Sequence, residues 1–420
     1  MNKLFKTFYL IGFITPSSMA YAYDVNEQFS VNGYMSQGVM YTPDNTFLGM
    51  DDISFDVRGL GLNANYEVND RLRLSGHVLV KKAGDVMDGD PKLHFLLADY
   101  LFHTSAEGDL GVRLGRVQNQ YGIYNATRFV PNTRPGIIVP SSVYYDASFR
   151  ELMMSTDGVN LYGRTNNDLG SFELNVYAGT REVENEAFEL FIFKKKTPGD
   201  FKESAIRGLK LDFIPNSEHD LVFNYSMVNF NSDLENTPTF TEDQITAAQS
   251  LIADDPRIRS NYVTSFDTDI LIHLFSMQYG VDNWLLTAEY ARAHSEFTDV
   301  EILYDEKPSQ SFDSEAYYLQ AEYLGWHDVT VYARLDYMYL DTDDRDGQTA
   351  YSEGRLPVNY MSYGRGQTIG VRWFILPDLT LSAQYSLNEG TAWLPPSPGV
   401  KPAQFVENWS WSSVRLTYEF

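Results

Sequence analysis

The sequence predicts an all-β protein, an up-and-down antiparallel transmembrane barrel of about sixteen strands. Three observations lead to this prediction. Apolar and polar residues alternate along many segments of roughly ten to fourteen residues, short and long connections between these segments alternate, and aromatic residues make up 15% of the chain, with 29 tyrosines. Alternation gives a strand one apolar face. A tilted strand crosses a membrane in about 10 residues, and membrane barrels carry aromatic girdles at both interfaces.

The first 22 residues are expected to be a cleaved signal peptide. Lys3 and Lys6 give a positive start, 8–14 is a short apolar stretch, and Ala22 completes a small-x-small cleavage site. Tyr23 would then begin the mature chain. The apolar stretch is too short to span a bilayer, which takes about 20 residues. We therefore expect export, with 23–420 forming the barrel.

Alternation recurs from one end of the mature chain to the other. In 378–389, for example, Leu379 and Leu381 fall on one face and Thr380 and Ser382 on the other. The sixteen predicted strands are 28–40, 54–67, 71–82, 93–103, 110–118, 151–163, 171–181, 203–214, 218–230, 263–280, 282–296, 314–325, 328–341, 365–375, 378–389 and 407–420.

The connections support closure of these strands into a barrel. Seven are short, and eight are long: 41–53, 83–92, 119–150, 182–202, 231–262, 297–313, 342–364 and 390–406. Short periplasmic turns and long extracellular loops are typical of outer-membrane barrels. Membrane-spanning strands must satisfy all their backbone groups, so the sheet has to close on itself.

The last strand carries the most specific motif. Apolar residues alternate along 407–420, and the strand ends with Tyr418, Glu419 and Phe420. This pattern resembles the terminal strand of Gram-negative outer-membrane barrels. The resemblance implies a location in the bacterial outer membrane and binding of Tyr418 and Phe420 by the barrel-assembly machinery.

Sixteen strands with a long loop after the fifth resemble the general porin family. In that family the third long loop folds back into the barrel and narrows the pore. The matching segment here is 119–150, called the constriction loop below, and the preceding 115–119 also resembles the porin sequence at that point. The resemblance implies a water-filled channel for passive diffusion of small polar solutes, a homotrimer, and contact with outer-membrane lipid and lipopolysaccharide.

The constriction loop is rich in aromatic residues and is basic. Its aromatic residues are Tyr121, Tyr124, Phe129, Tyr144, Tyr145 and Phe149. A long loop with this apolar content is expected to pack against the barrel interior. Arg128, Arg134 and Arg150 against Asp146 give it a net charge of +2, whereas 231–262 and 297–313 each carry −4. General porins have an acidic constriction loop, so this departure predicts a pore that favours anions.

Alternation also places arginines of the strands on the inner face. The predicted pore-wall residues are Arg58, Arg73, Arg113, Arg372 and Arg415. In a narrow pore they would favour anionic or strongly hydrogen-bonding solutes. Alternatively, they pair with inward acids and only fill the lumen. The candidate acids are Asp56, Glu173, Asp336 and Glu419.

Three other functions remain open from the sequence. The loop aromatics could stack on sugar rings, as in sugar-specific porins, which have eighteen strands; a different division of 231–262 would give that number. An enzyme barrel is a second alternative, but the seven histidines are scattered, no nucleophile or metal motif is present, and such barrels have ten or twelve strands. The third is a surface receptor or adhesin that acts through the long loops.

Composition excludes several partners. A formal charge of −25 argues against nucleic acid, which needs a basic surface. The chain has no cysteine, so disulfides and thiolate metal sites are excluded. The segment 341–347 resembles a calcium loop, but Arg345 occupies a ligand position and no bidentate Glu follows. We therefore expect a solvated acidic loop, no metal and no cofactor.

Overall fold

A computed structural model describes residues 23–26, 28–144, 150–182, 199–235, 237–254, 261–394 and 404–420. The predicted signal peptide, including Ala22, lies outside these residues, as do Tyr145, Asp146 and Phe149 of the constriction loop. The described chain begins with a short strand, Tyr23–Asn26, which pairs with the first strand of the barrel.

Sixteen long strands form the barrel, as the alternation predicts. They are β1 (Phe29–Phe47), β2 (Met50–Asn69), β3 (Leu72–Ala83), β4 (Met87–Thr104), β5 (Gly108–Gln118), β6 (Ser155–Asn167), β7 (Gly170–Glu182), β8 (Asp200–Pro215), β9 (Asp220–Glu235), β10 (Val263–Val281), β11 (Trp284–Ile302), β12 (Gln310–Trp326), β13 (Val329–Tyr339), β14 (Tyr363–Leu376), β15 (Leu379–Gly390) and β16 (Asn408–Glu419). Each predicted strand coincides with one of them, so the count of sixteen is confirmed.

The strands close into one ring. Each pairs antiparallel with the next along the chain, and β16 pairs with β1 from Ser412 opposite Tyr41 to Glu419 opposite Tyr34. The seam continues beyond the ladder, where the Gly33 and Phe420 backbones exchange hydrogen bonds of 2.8 and 3.0 Å. A closed ring leaves no strand edge unpaired. The alternative of eighteen strands is wrong, because the ladder closes with sixteen.

The two faces of the wall have opposite character. On β16, Val414, Leu416 and Tyr418 are 41–43% exposed on the outside, whereas the intervening Arg415 and its alternate neighbours are buried on the inside. The same alternation runs through the other strands. An apolar outer face suits contact with lipid, and a polar inner face suits a hydrated lumen.

Two of the predicted long loops are instead extensions of strands. β1 and β2 meet at a turn of Leu48 and Gly49, and β3 and β4 are separated only by residues 84–86. Thr42 Oγ1 donates to the Met50 carbonyl at 2.9 Å within the first extension. The predictions of loops at 41–53 and 83–92 are therefore wrong, because the wall continues on this side beyond the segments with clear alternation.

Helices are short and lie in the connections. They are α1 (Ser141–Tyr144), α2 (Arg150–Met154), α3 (Glu242–Asp254) and α4 (Gln348–Ser352), with 3₁₀ turns at Pro131–Thr133 and Asn359–Met361; a two-residue strand, Asp305–Glu306, pairs with the end of β11. Within the described ranges, no helix is long and apolar enough to cross a membrane.

The acidic segment 341–347 starts a helix. Asp344 accepts hydrogen bonds from the Thr349 and Ala350 amides at 3.0 and 2.7 Å. Burial opposes ionisation of Asp344, but these amide hydrogen bonds outweigh it and hold its pKa below the usual value. This carboxylate therefore stabilises the N-terminus of α4.

The seam gives a first prediction. A methyl group added at Gly33 would lie 2.6 Å from the Gly61 carbonyl oxygen and 2.9 Å from the Phe420 ring. We expect Gly33→Ala to lower the free energy of unfolding by about 1–3 kcal/mol, because overpacking displaces the last strand. Urea unfolding in lipid vesicles, followed by tryptophan fluorescence, measures this change.

Gly163→Ala is the matched control. Gly163 also lies within a strand, but the nearest atom to its added methyl is 3.5 Å away on the flexible Leu110 side chain. Equal unfolding midpoints for the two variants would contradict the role of the Gly33–Phe420 contact.

Candidate functional site

The constriction loop leaves β5 and turns into the lumen at its base. Asn119 Nδ2 donates to the Leu152 carbonyl at 2.7 Å, and Asn125 Nδ2 donates to the carbonyls of Asn119 and Met153 at 2.9 and 2.5 Å. These side-chain amides take the place of a backbone ladder at a point where the chain leaves the sheet. The two ends of the loop are thus tied together where they enter the barrel.

Glu289 of β11 holds the first half of the loop. Its Oε1 accepts from Ser276 Oγ at 2.6 Å and from the Ile123 amide at 3.1 Å. Its Oε2 accepts from the hydroxyls of Tyr144 and Tyr318 at 2.6 and 2.7 Å. The carboxylate is only 2% exposed. A buried charge is tolerated when hydrogen bonds replace its water, and here four donors do so.

The Tyr144 hydroxyl connects this carboxylate to the backbone of the loop. It accepts hydrogen bonds from the amides of Ile123 and Tyr124, both at 2.9 Å, while it donates to Glu289. Burial, and then the charge of Glu289, raise the pKa of Tyr144 far above its usual value. The hydroxyl therefore keeps its proton and remains a donor.

Neighbouring strands add two further contacts to this half of the loop. Ser226 Oγ of β9 accepts from the Gly122 amide at 3.0 Å, and Gln320 Nε2 of β12 donates to the Tyr124 hydroxyl at 3.0 Å. The first half of the loop is thus bound to three strands of the wall, β9, β11 and β12.

The tip of the loop, residues 131–140, lies against β13 to β16. Arg372 Nη1 donates to the Asn132 carbonyl at 2.9 Å, and Asn132 Nδ2 donates to Thr380 Oγ1 at 3.0 Å. Gln384 Oε1 accepts from the amides of Ile137 and Ile138 at 2.8 and 3.2 Å. The loop therefore crosses the lumen and is fixed to the opposite wall.

Two more arginines of this wall face carbonyl groups of the loop. Arg334 Nη1 lies 3.5 Å from the Ile138 carbonyl, and Arg415 Nη1 lies 3.5 Å from the Ile137 carbonyl. Arg334 also donates to Asp336 at 2.6 Å. Arg372, Arg334 and Arg415 thus hold the loop through its carbonyl groups, with the charge of Arg334 neutralised.

On its other side the loop faces β1 to β4 across a pocket. The pocket holds about 630 Å³ of empty space that continues into open solvent. Six cationic residues line it: Lys81, Arg128, Arg134 and Arg415 from inward-facing or loop positions, and Arg58 and Lys82 from β2 and β3 at the edge of the barrel wall. Among the described residues, no Asp or Glu contributes to the lining. The electrostatic character of the pocket is therefore opposite to that of the whole chain.

Arg128 and Arg134 also shape the loop. Arg128 donates to Asn125 Oδ1 at 3.0 Å and to the Tyr144 carbonyl at 3.2 Å, and Arg134 donates to the Ile137 carbonyl at 3.3 Å. Both are almost completely buried, at 2% and 5% exposure. Their positive charges contribute to the electrostatic potential in the pocket although the side chains are covered by other atoms.

Phe129 packs at the floor of the pocket. The His94 ring meets it edge-on at 5.0 Å, and Lys81 Nζ lies 5.5 Å from its centroid. His77 and His94 approach each other through their Nδ1 atoms at 2.9 Å. These inward side chains of β3 and β4 support the loop on the side opposite to its anchors.

Comparison with solved structures identifies the fold. The chain is similar to an anion-selective porin from Comamonas acidovorans, with a TM-score of 0.56 and 12% identity over 93% of this chain and 99% of that one. The chain has the porin fold. The outer membrane channel DcaP of Acinetobacter baumannii gives 0.52 and 13%, covering 95% of this chain and 99% of that one.

OmpT of Vibrio cholerae, an outer-membrane protein, gives a TM-score of 0.55 and 14% identity over 94% of this chain and 99% of that one. No protein-family model matches the chain, and no curated protein matches it in sequence. The likeness to porins is thus one of architecture.

Within this porin fold, two of the predicted wall arginines lie apart from the constriction loop. Arg73 and Arg113 both pair with Asp99, at 3.1 and 3.3 Å, and Arg113 stacks over the Tyr162 ring at 4.0 Å. Tyr162 donates to the other Asp99 oxygen at 2.7 Å. These arginines face the lumen near the short turns, and their pairing agrees with the alternative that wall arginines fill the lumen.

The inward position expected for Arg58 is wrong. The ladder between β1 and β2 shifts register between Gly38 and Met40, so alternation changes phase there. Arg58 consequently shares the outer face with Leu60 and is 61% exposed. A β-bulge of this kind adds one residue and turns the following side chains to the other face.

Of the remaining predicted loop residues, four are buried, and one has a side chain that is not among those described. Four of the loop aromatics are at most 5% exposed: Tyr121, Tyr124, Phe129 and Tyr144. Their ring faces are covered by other protein atoms and are not accessible to a sugar. Arg150 begins α2, and the placement of its side chain is outside the described residues.

The sequence analysis missed three residues that define the site. Glu289, Gln384 and Lys81 each occupy an inward position on a strand. Alternation along β11 could have shown that Glu289, between Ala288 and Tyr290, is an acid on the lumen face. Nothing in the sequence indicates that it contacts Ile123 of the loop, 166 residues earlier.

Removal of the charge of Glu289 gives a second prediction. In Glu289→Gln, an amide NH₂ would face hydroxyl and backbone donors, so we expect a loss of about 1–3 kcal/mol of stability from unsatisfied buried groups. The loop should then release Arg128 and Arg134 to trypsin in the folded barrel. Mass spectrometry of the fragments measures this cleavage.

Glu296→Gln is the control, since Glu296 lies on the same strand but on its exposed outer face. If trypsin cleaves the Glu289→Gln barrel no faster than this control, Glu289 does not hold the loop.

Proposed function

We propose that the protein is a porin of the bacterial outer membrane that forms a water-filled channel for passive diffusion of small polar or anionic solutes. The observation that carries this proposal is the constriction loop crossing a closed barrel, with cations and no described acid lining the pocket beside it. A polar lumen narrowed by an inserted loop is the arrangement of a size-limited diffusion channel.

The distribution of charge supports a preference for anions. The whole chain carries −25, so its mean field repels anions, yet the pocket concentrates Lys81, Arg128, Arg134 and Arg415. Charges that line a narrow, partly desolvated passage act on passing ions more strongly than distant charges, which salt screens beyond about 8 Å. The local cations therefore determine selectivity.

A catalytic function is not favoured. The most deeply buried carboxylate at the loop, Glu289, has both oxygens engaged with donors of the loop and wall. His94 packs against Phe129, and both His77 and His94 pack against Phe95. These groups position the loop, and we propose that the protein is not an enzyme.

Assembly and location follow from the same proposal. We infer that residues 1–22 direct export, that Tyr418 and Phe420 form the signal for the barrel-assembly machinery, and that outer-membrane lipid and lipopolysaccharide surround the apolar wall. A homotrimer is supported by OmpT of Vibrio cholerae, which has a structure described as a trimer form.

Lys81 provides the third prediction. The purified protein in a planar bilayer should show steady single-channel steps, and Lys81→Gln should reduce its anion-to-cation permeability ratio. One charge about 7 Å from a passing ion in water changes its energy by roughly 0.6 kcal/mol, or about threefold in population. Reversal potentials in a salt gradient measure the ratio.

Arg292→Gln is the matched control. Arg292 lies on the outer face of β11, is 55% exposed and pairs with Asp313 at 2.7 Å, so its replacement changes the net charge equally at a position that does not line the pocket. Absence of channel steps would contradict the porin proposal, and equal reversal potentials for the two variants would contradict the role of Lys81.

A further inference from the structure

Three buried hydrogen-bond donors without a partner surround the tip of the constriction loop. They are Arg415 on β16, Gln384 on β15 and Tyr332 on β13, and their side chains are 7%, 3% and 4% exposed. Among the described residues, Nε and Nη2 of Arg415, Nε2 of Gln384 and the hydroxyl of Tyr332 have no hydrogen-bond partner. Buried donors left unpaired are costly, and they are therefore rare in native proteins.

These groups converge on one place in the loop. A methyl group on Gly136 would lie 3.0 Å from the Tyr332 hydroxyl and 3.4 Å from Gln384 Oε1. Arg415 Nη1 reaches the carbonyl of the next residue, Ile137, at 3.5 Å. The three side chains thus meet around residues 136–137, between the loop and the wall.

The unpaired atoms of these three side chains can all donate a hydrogen bond, and Asn132 Oδ1 of the tip and Glu419 Oε1, four residues along β16 from Arg415, are unpaired acceptors in the same region. Gln384 Oε1 already accepts from the amides of Ile137 and Ile138, which fixes the amide so that Nε2 points elsewhere. Arg415 brings a positive charge, whereas its neighbour Arg334 is paired with Asp336. Within the described chain, no carboxylate lies within 4 Å of the Arg415 guanidinium.

We propose that a small inorganic anion of the size of chloride binds between the tip of the constriction loop and the wall, at Arg415, Gln384 and Tyr332. The anion neutralises the buried guanidinium, accepts the unpaired hydrogen bonds and joins the loop to β13, β15 and β16. Arg415 also lines the pocket, so the ion reaches the site from the lumen. The site is separate from any selectivity of the pore and does not require the barrel to conduct.

Halide-dependent stability tests the proposal. The purified, refolded barrel is heated in sodium bromide or in sodium gluconate at the same ionic strength, and circular dichroism follows the loss of β structure. We expect gluconate, a much larger anion, not to enter a site among side chains that are 3–7% exposed. We expect a saturable rise of the melting temperature with bromide, since a ligand stabilises the state that binds it. A rise of equal size in both salts would overturn the proposal.

Tyr332→Phe is the informative variant, because its hydroxyl has no partner in the described chain and its removal leaves all described hydrogen bonds intact. We expect this variant to lose roughly half or more of the bromide-dependent rise. Tyr66→Phe, on the outer face of β2, is the control and should keep the full rise. An unchanged response in Tyr332→Phe would count against the site.

Arg415→Gln removes the charge, with outward Arg58→Gln as its control, and should abolish the rise if the variant folds. Anomalous scattering from crystals grown in bromide locates the ion directly. Density between Arg415, Tyr332 and Gln384 supports the site. A water molecule at this position, or bromide found only at other positions (an adventitious ion only), overturns it. Single-channel recordings test the porin proposal independently.

Discussion

Closure of the hydrogen-bond ladder between β16 and β1 is the constraint on which the rest of the structure depends. In a membrane each unpaired backbone group costs several kcal/mol, so a sheet with two free edges could not span it. The Gly33–Phe420 contacts complete the ring at the end of the ladder. A closed ring encloses a lumen, and this lumen is the only place where the polar inner faces of the strands can be hydrated or paired.

The constriction loop packs tightly against one side of the lumen and leaves open space on the other. On one side, Glu289, Gln384 and Arg372 bind it to the wall and leave little space. On the other side, Lys81 and the buried loop arginines border open space. The side of the wall to which the loop is bound therefore determines both where the open space lies and which charges line it.

Much of this fold could be predicted from the sequence, because period-two alternation reports directly which residues face lipid. All sixteen strands were located in this way, and so was the loop that enters the barrel. Alternation fails where the ladder is irregular. Arg58 was placed inside because a single phase was assumed along the strand, although the apolar positions change from 53, 55 and 57 to 60 and 62 at the register shift opposite Gly38 and Met40.

The contacts of the site were beyond such reasoning for a different reason. Ile123 meets Glu289 and Ile137 meets Gln384 across separations of 166 and 247 residues. Local periodicity carries no information about pairs so far apart. The basic character of the loop was visible in the sequence, but Arg128 and Arg134 proved to be buried within the loop, with Lys81 of the wall supplying a further charge.

The chain order of the loop anchors has a consequence for maturation. The loop itself is encoded before residue 150, whereas the wall groups that fix its tip lie between Arg334 and Arg415. These groups lie on β13 to β16, in about the last fifth of the chain. The tip of the loop is therefore fixed only in a barrel whose last four strands are in place, and without them the lumen would be wider.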